Sequence, residues 1–308
     1  MQFSSRRAFL MGRRSSKSPW AAFCQGLQRR VAGSFLDYGL SDGVGSARLT
    51  PLNAADLHHA RALCAEHGVV LALDGINQAA SQSHQSVLWI ELGSHLTQCQ
   101  RLPNDASKWF VQPGCLLGDL EAAGLKEFAG LPGYLTVAAW LADRSLQAWE
   151  SGATHRSGIA HACVLLADGT QATLGPFGEH NRQPLDGLAL QTLVSGLFTL
   201  TGSTEAQACR QEPHWAARYR LDALMPQPGH IVNLSHLLLG HGGDLGWLEW
   251  VVLDETALSE AAVADPMGFS LGRQAPHDVL WAQAIELDVR VKALFDPNDV
   301  FPHPGQDL

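Results

Sequence analysis

The side chains able to do chemistry lie in short polar stretches between apolar runs. His155 and Arg156 belong to Thr154-His155-Arg156-Ser157-Gly158-Ile159, His161 follows, and His236, His241 and His303 sit in later turns. An imidazole titrates near neutrality and can act as a general base. None of these histidines has a partner visible in the sequence, so each reads equally as an ordinary hydrogen-bonded loop residue. Arg156 offers a planar, permanently charged donor, or is simply a surface arginine in a polar loop. Asp74-Gly75-Ile76-Asn77-Gln78-Ala79-Ala80 follows directly on an apolar run, and its single glycine serves either a plain loop or close approach of the backbone to a ligand. The six cysteines (Cys24, Cys64, Cys99, Cys115, Cys163, Cys209) form no CxxC pair and no metal-ligand spacing. They read as buried thiols, and no metal is expected.

The elements that must position these groups are legible in places. Residues 47 to 73 spell strand, helix, parallel strand: Ala47 to Thr50 stops at Pro51, Asn53 caps a helix that Gly68 closes, and Val69 to Leu73 is a buried-strand run. Val87 to Leu92 and Trp109 to Val111 are further strands, with Asn104-Asp105-Ala106-Ser107 as the turn between them. A short amphipathic helix carries Leu116, Leu117, Leu120 and Leu125, and a turn follows at Leu131-Pro132-Gly133. Ala162 to Leu166, Asp168-Gly169 and Gln171 to Leu174 make a hairpin. Residues 185 to 202 read as a helix or an apolar strand, and a variable polar segment follows. Trp247 to Leu253 is a strand, and Asp296-Pro297 stops a final helix.

The order of these pieces resembles the FAD-binding half of the vanillyl-alcohol oxidase type flavoproteins, and within them the glycolate oxidase and D-lactate dehydrogenase group. Members carry a strand into "PG", a helix, an apolar strand near "TVGG", a "G-x-x-x-D-x-V" crossing and a "VVLADG" hairpin. The equivalents here are Val111 to Gly114, Thr136-Val137-Ala138-Ala139, Gly152 to Ile159 and Val164 to Gly169. His214 to Leu224, Asn233 to Gly240, Gly240-His241-Gly242-Gly243-Asp244-Leu245-Gly246 and the tail Phe295-Asp296-Pro297 to Gly305 match later motifs of the family. The resemblance covers nearly all of residues 47 to 305.

That resemblance implies an α+β, two-subdomain, FAD-binding PCMH-type fold, with a small βαβ subdomain and a larger mixed sheet with helices. It implies a domain over residues 33–255, then a remnant cap and C-terminal helix with tail over 256–308, because relatives insert a substrate domain of a few hundred residues where this chain has only Asp254 to about Asp278. It implies non-covalent FAD held by Gly75, Ile76, Asn77, Gln78, Thr136, Val137, Gly152, Arg156 and Ile159. The reaction implied is hydride transfer from a 2-hydroxy acid such as glycolate or lactate to flavin, with His236, His241 and His303 the nameable bases and no residue assignable as catalytic. The partner is then a small-molecule substrate or, if the chain is a cap-less, non-catalytic subunit with weakened or lost FAD binding, a larger oxidoreductase. Two departures bear on that choice. Ala138-Ala139-Trp140 stands where relatives have glycines against the flavin, so the indole must displace the ring or turn into the core. Gly242 and Asp244 replace an acidic residue and a threonine.

Composition narrows the field. The 308 residues are 46% hydrophobic and carry a formal charge of -9, which excludes a general nucleic-acid binder and wholesale disorder. No apolar run approaches the ~20 residues of a membrane span. Residues 1–32 read as a basic arm or a degenerate twin-arginine-like segment. Ser5-Arg6-Arg7-Ala8-Phe9-Leu10 fits such a signal, but the polar Gly12 to Pro19 replaces its apolar core, so a cytoplasmic location is expected over the periplasm.

Overall fold

A computed structural model of the chain describes residues 18–76, 85–147, 149–178, 185–264 and 278–303. Two sheets organise it into an α+β fold. Helix α1 (Pro19–Arg30) leads into strands β1 (Ser34–Ser41) and β2 (Val44–Thr50), helix α2 (Ala54–His67), and strands β3 (Val70–Leu73) and β4 (Val87–Ile90). Their order is β1-β2-β4-β3, with β4 parallel to both β2 and β3 and β1 antiparallel to β2. The expected strand-helix-strand unit is present, with β4 inserted between its two strands. Asn53 caps α2 by accepting from the Asp56 amide, and Gly68 closes it in the left-handed region at φ +64.

The larger sheet is antiparallel throughout, in the order β5-β6-β11-β7-β8. It comprises β5 (Cys99–Leu102), β6 (Asp105–Val111), β7 (Ile159–Leu165), β8 (Gln171–Leu174) and, later in the chain, β11 (Trp247–Asp254). The turn expected over Asn104 to Ser107 is tighter than the sequence suggested: β6 begins at Asp105 and pairs with β5, which the polar Cys99-Gln100-Arg101-Leu102 did not reveal. The β7–β8 hairpin turns at Asp168-Gly169, with Gly169 at φ +92 and the Asp168 carboxylate accepting from the Thr170 amide and hydroxyl.

Helices α3 (Leu117–Ala123) and α4 (Val137–Ala142) lie between β6 and β7. Where an apolar strand was expected at Thr136 to Ala139, the chain is helical. Thr136 is the N-cap, accepting from the Ala139 amide, and alanines in place of glycines raise helix propensity by about 1 kcal/mol each. After β8 come β9 (Pro176–Phe177), α5 (Leu188–Thr201), α6 (Thr204–Gln211) and β10 (Val232–Asn233). The polar segment after residue 202 is therefore a helix, with Ser203 as its cap and Ala206 and Cys209 buried. Helix α7 (Glu255–Ala264) follows β11, and α8 (Asp278–Phe295) precedes the tail. Within the stretch read as a basic arm, residues 19–30 are a docked helix: Ser18 caps it, and Trp20, Phe23, Cys24 and Leu27 enter the core. One apolar core runs under both sheets, joining Phe23 and Leu63 to Val111, Trp140, Val164 and Phe301. Among the described residues, no helix is long and apolar enough to cross a membrane.

Candidate functional site

The loop after β3 was expected to present amides to a phosphate. Gly75 is exposed at φ +87, and a Cβ there would meet nothing within 4 Å. Its amide, however, donates to Asp74 Oδ1 at 2.8 Å, while Asp74 Oδ2 lies 3.3 Å from Arg48 Nη2. A carboxylate of the chain itself thus takes the place an anion would need. Ile76 packs partly against the core. Asn77 and Gln78 lie outside the described residues.

At the start of α4, the Val137 amide donates to Cys115 O at 2.8 Å and the Ala138 amide to Pro113 O at 3.0 Å. The Ala139 amide donates to Thr136 Oγ1 at 3.1 Å. The first amides of this helix, the usual anion-binding end, are already bonded. Trp140 turns into the core at 2% exposure and packs edge-on against Phe128 at 5.2 Å. Of the two outcomes open to this indole, burial is the one observed.

Gly152, Arg156 and Ile159 surround a short 3-10 turn over Thr154–Ser157. The Gly152 amide donates to Asp222 Oδ2 at 2.7 Å. Gly152 itself sits at φ +75, and a Cβ would fall 2.7 Å from Arg210 Nη2. Asp222 is held in a bidentate pair by Arg220, through Nε at 2.9 Å and Nη2 at 2.7 Å. The remaining donors of Arg220 go to Gln147 O, Trp149 O and Glu150 O, so this buried guanidinium uses all its N–H groups. Arg156 is half-buried beside His155. The Ile159 amide reaches Ser157 Oγ at 3.4 Å, and its carbonyl accepts from Asn233 Nδ2 and His236 Nε2.

Among the histidines, His236 is held through both ring nitrogens. His236 is buried, with Nε2 2.8 Å from Ile159 O and Nδ1 3.1 Å from Thr154 Oγ1. A carbonyl only accepts, so Nε2 carries the proton and Nδ1 receives the threonine hydroxyl. Burial lowers the pKa of His236 to about 4 and that of His241 to about 3. His155 stacks on His230 at 3.5 Å and is likewise lowered to about 4, by burial first and then by the neighbouring His230 and Arg156. His161, half-buried, is lowered in the same direction by burial and Lys108. His303 lies in the tail beyond α8.

A second buried ionic network went unanticipated. Asp244 is paired with Arg218 at 2.7 Å and accepts from Tyr219 OH at 3.1 Å. Lys292 Nζ donates to Asp244 O, Phe301 O and Asp296 Oδ2. Asp288 accepts from the Arg218 and Tyr219 amides, yet burial pushes its pKa up to about 7. Gly242 sits at φ +69, a conformation that favours glycine, and a Cβ there would crowd the Arg218 guanidinium. Gly242 and Asp244 thus both pack against the Arg218 side chain. The sequence signal was alternation in Arg218-Tyr219-Arg220-Leu221-Asp222-Ala223-Leu224, with charges among residues that are nearly all buried.

A cleft of about 170 Å³ is lined by Ser18, Trp20, Leu40, His67 and Ser86, and one of about 480 Å³ by Arg101, Ser107, Glu255, Thr256 and Ser259. Neither includes a residue expected to hold FAD. The described amides of Gly75, Val137, Gly152 and Ile159 are bonded within the chain, and the Trp140 indole lies in the core.

No protein-family model matches the chain, and no curated protein matches it. Among solved structures, it is similar to a variant of BBE-like 1 from Physcomitrella patens, at TM-score 0.43 and 13% identity over 75% of this chain and 44% of that one. It is also similar to 4-ethylphenol oxidase from Gulosibacter chungangensis, at TM-score 0.45 and 14% identity over 78% and 43%. A third, alkyldihydroxyacetonephosphate synthase, gives TM-score 0.39 and 13% identity over 68% and 32%. The chain spans less than half the length of each.

Proposed function

We propose that the chain is a cap-less, non-catalytic subunit on the scaffold of flavin-dependent oxidoreductases, with FAD binding weakened or lost, that partners a larger oxidoreductase. The observation that carries this reading is the state of the backbone at the expected cofactor contacts. The amides of Gly75, Val137, Gly152 and Ile159 all donate within the chain, to Asp74, Cys115, Asp222 and Ser157. A dinucleotide would have to displace these bonds, each worth about 1 kcal/mol net, and leave the buried Asp222 carboxylate short of a donor at a cost of about 1–3 kcal/mol or more. The same reading takes residues 33–255 as the flavin-type domain and 256–308 as a cap remnant with its tail, in a cytoplasmic protein.

The test is an FAD titration of the full chain followed by visible absorption and flavin fluorescence. The expected result is a colourless protein with no saturable uptake. Yellow protein that releases flavin on acidification would overturn the reading.

A second reading is an FAD-binding oxidoreductase of the glycolate oxidase/D-lactate dehydrogenase group, holding FAD non-covalently and oxidising a 2-hydroxy acid. It is favoured by Gly75, whose exposed position and open surroundings leave room for a ligand on that side of the loop. Under it, Gly75→Leu lowers flavin occupancy; unchanged occupancy sinks it.

A further inference from the structure

Helix α8 buries one side and leaves an apolar ridge on the other. Leu287, Val291 and Phe295 lie in the core, while Trp281, Ile285, Val289 and Ala293, spaced four apart, are exposed, Trp281 at 54% and Ile285 at 45%. A helix docked on a core normally turns polar side chains to water. The neighbouring α5, whose Gly196 lies against Leu294 of α8, obeys that rule: after its first turn its exposed positions are Gln191, Thr192, Ser195 and Thr199. The α8 ridge breaks it over three turns, and an exposed apolar row of that length marks a contact surface.

We propose that this face of α8 is the interface between two copies of the chain, paired antiparallel about a twofold axis at the level of Leu287. A second copy is identified as the occupant because the ridge fits itself. Read in reverse against the same four residues, Trp281 meets Ala293 of the second copy and Ile285 meets its Val289, so the larger side chain faces the smaller at each step. Rows of residues four apart form ridges that interdigitate between helices crossing at about −50°. A twofold contact of this kind uses one surface patch twice.

Charge favours the same pairing. Each chain carries a formal charge of -9, so two copies repel over most directions of approach. The ridge itself is uncharged. Beside it, Glu286 is exposed, and Arg290, 3.2 Å from Glu205 of its own chain, is 39% exposed. The antiparallel register sets Glu286 of each copy within one helical turn of Arg290 of the other, on the same side of the contact, so opposite charges meet twice. The proposal does not rest on the flavin reading, because the mass of the isolated chain reports on it without a cofactor.

The test is sedimentation equilibrium of the full chain. A single helix pair sits at the small end of specific interfaces, so the mass is expected to rise from one chain to two between about 1 and 300 µM. Ile285→Glu sets a carboxylate against the apolar Val289 of the second copy. It is expected to weaken association about tenfold or more while leaving the unfolding midpoint of the dilute protein unchanged, because the side chain is exposed. The mass of one chain throughout, as when a larger partner protein or another segment of the same chain covers the face, would overturn the proposal. A dimer that Ile285→Glu leaves intact would overturn it equally.

Discussion

Trp140 shows at the scale of one residue how a side chain beside expected cofactor contacts is taken into the core. Its indole is buried against Phe128, and the side chain of Gln147 donates to its carbonyl at 2.7 Å. Trp140→Ala is expected to cost about 3–5 kcal/mol, read as a lowered urea midpoint. His236 supplies a pH prediction. Its folded pKa of about 4 lies below the unfolded 6.5, so its contribution is present above pH 6.5 and lost as pH falls toward 4, at about 1.4 kcal/mol per pH unit. Asp288 runs the other way. Raised from 3.8 to about 7, it contributes fully at low pH and loses that contribution as pH rises through 7. His236→Gln should therefore flatten the fall in stability between pH 6.5 and 4 by about 1.4 kcal/mol per unit, measured by denaturant unfolding across that range. An unchanged slope would mean that His236 is protonated in the folded state.

Among the elements, α1 depends on a latch supplied by α2. The buried Asp56 carboxylate accepts from the Ala32, Gly33 and Leu52 amides at 2.7, 3.0 and 2.8 Å, fixing the path from α1 into β1 and the entry to α2. Asp56→Ala leaves those amides without their charged acceptor. It should cost about 3–5 kcal/mol and raise protease sensitivity near residues 31 to 33. Helix α4 makes the complementary point: Thr136-Val137-Ala138-Ala139 was expected as an apolar strand, and its helicity comes from Thr136 capping and alanine propensity. Helix α6 and strand β5 were hidden because Thr204 to Gln211 and Cys99 to Leu102 are mostly polar and bury few side chains.

For the whole molecule, the C-terminal tail ties α8 to the smaller sheet. Val300 O accepts from the Leu71 amide of β3, and Asp296 accepts from Lys292 Nζ and from the Val300 and Phe301 amides. Glu249 of β11 meets His58 of α2 at 2.6 Å, and Arg61 donates to Ala167 O at 2.8 Å. Asp296→Ala strands the buried Lys292 ammonium. A loss of about 3–5 kcal/mol is expected, partly restored by adding Lys292→Met; equal stability in the single and double variants would show that the charge was not the cause.

The sequence alone determined the near-neighbour features. The Asn53 cap, the Gly68 stop, the Asp168-Gly169 hairpin and the Asp296-Pro297 helix end each rest on interactions within a few residues, and each stands as read. Whether the Gly152 and Val137 amides were free for a ligand was decided only by tertiary structure, whereas the Gly75 and Ile159 amides are taken by near neighbours. The acceptor for Gly152 is Asp222, 70 residues downstream, and the space near α4 was closed by an indole whose direction depends on Phe128 and the surrounding core. A hydrogen bond is set by where its acceptor lies in space, and local pattern carries no record of so distant a partner.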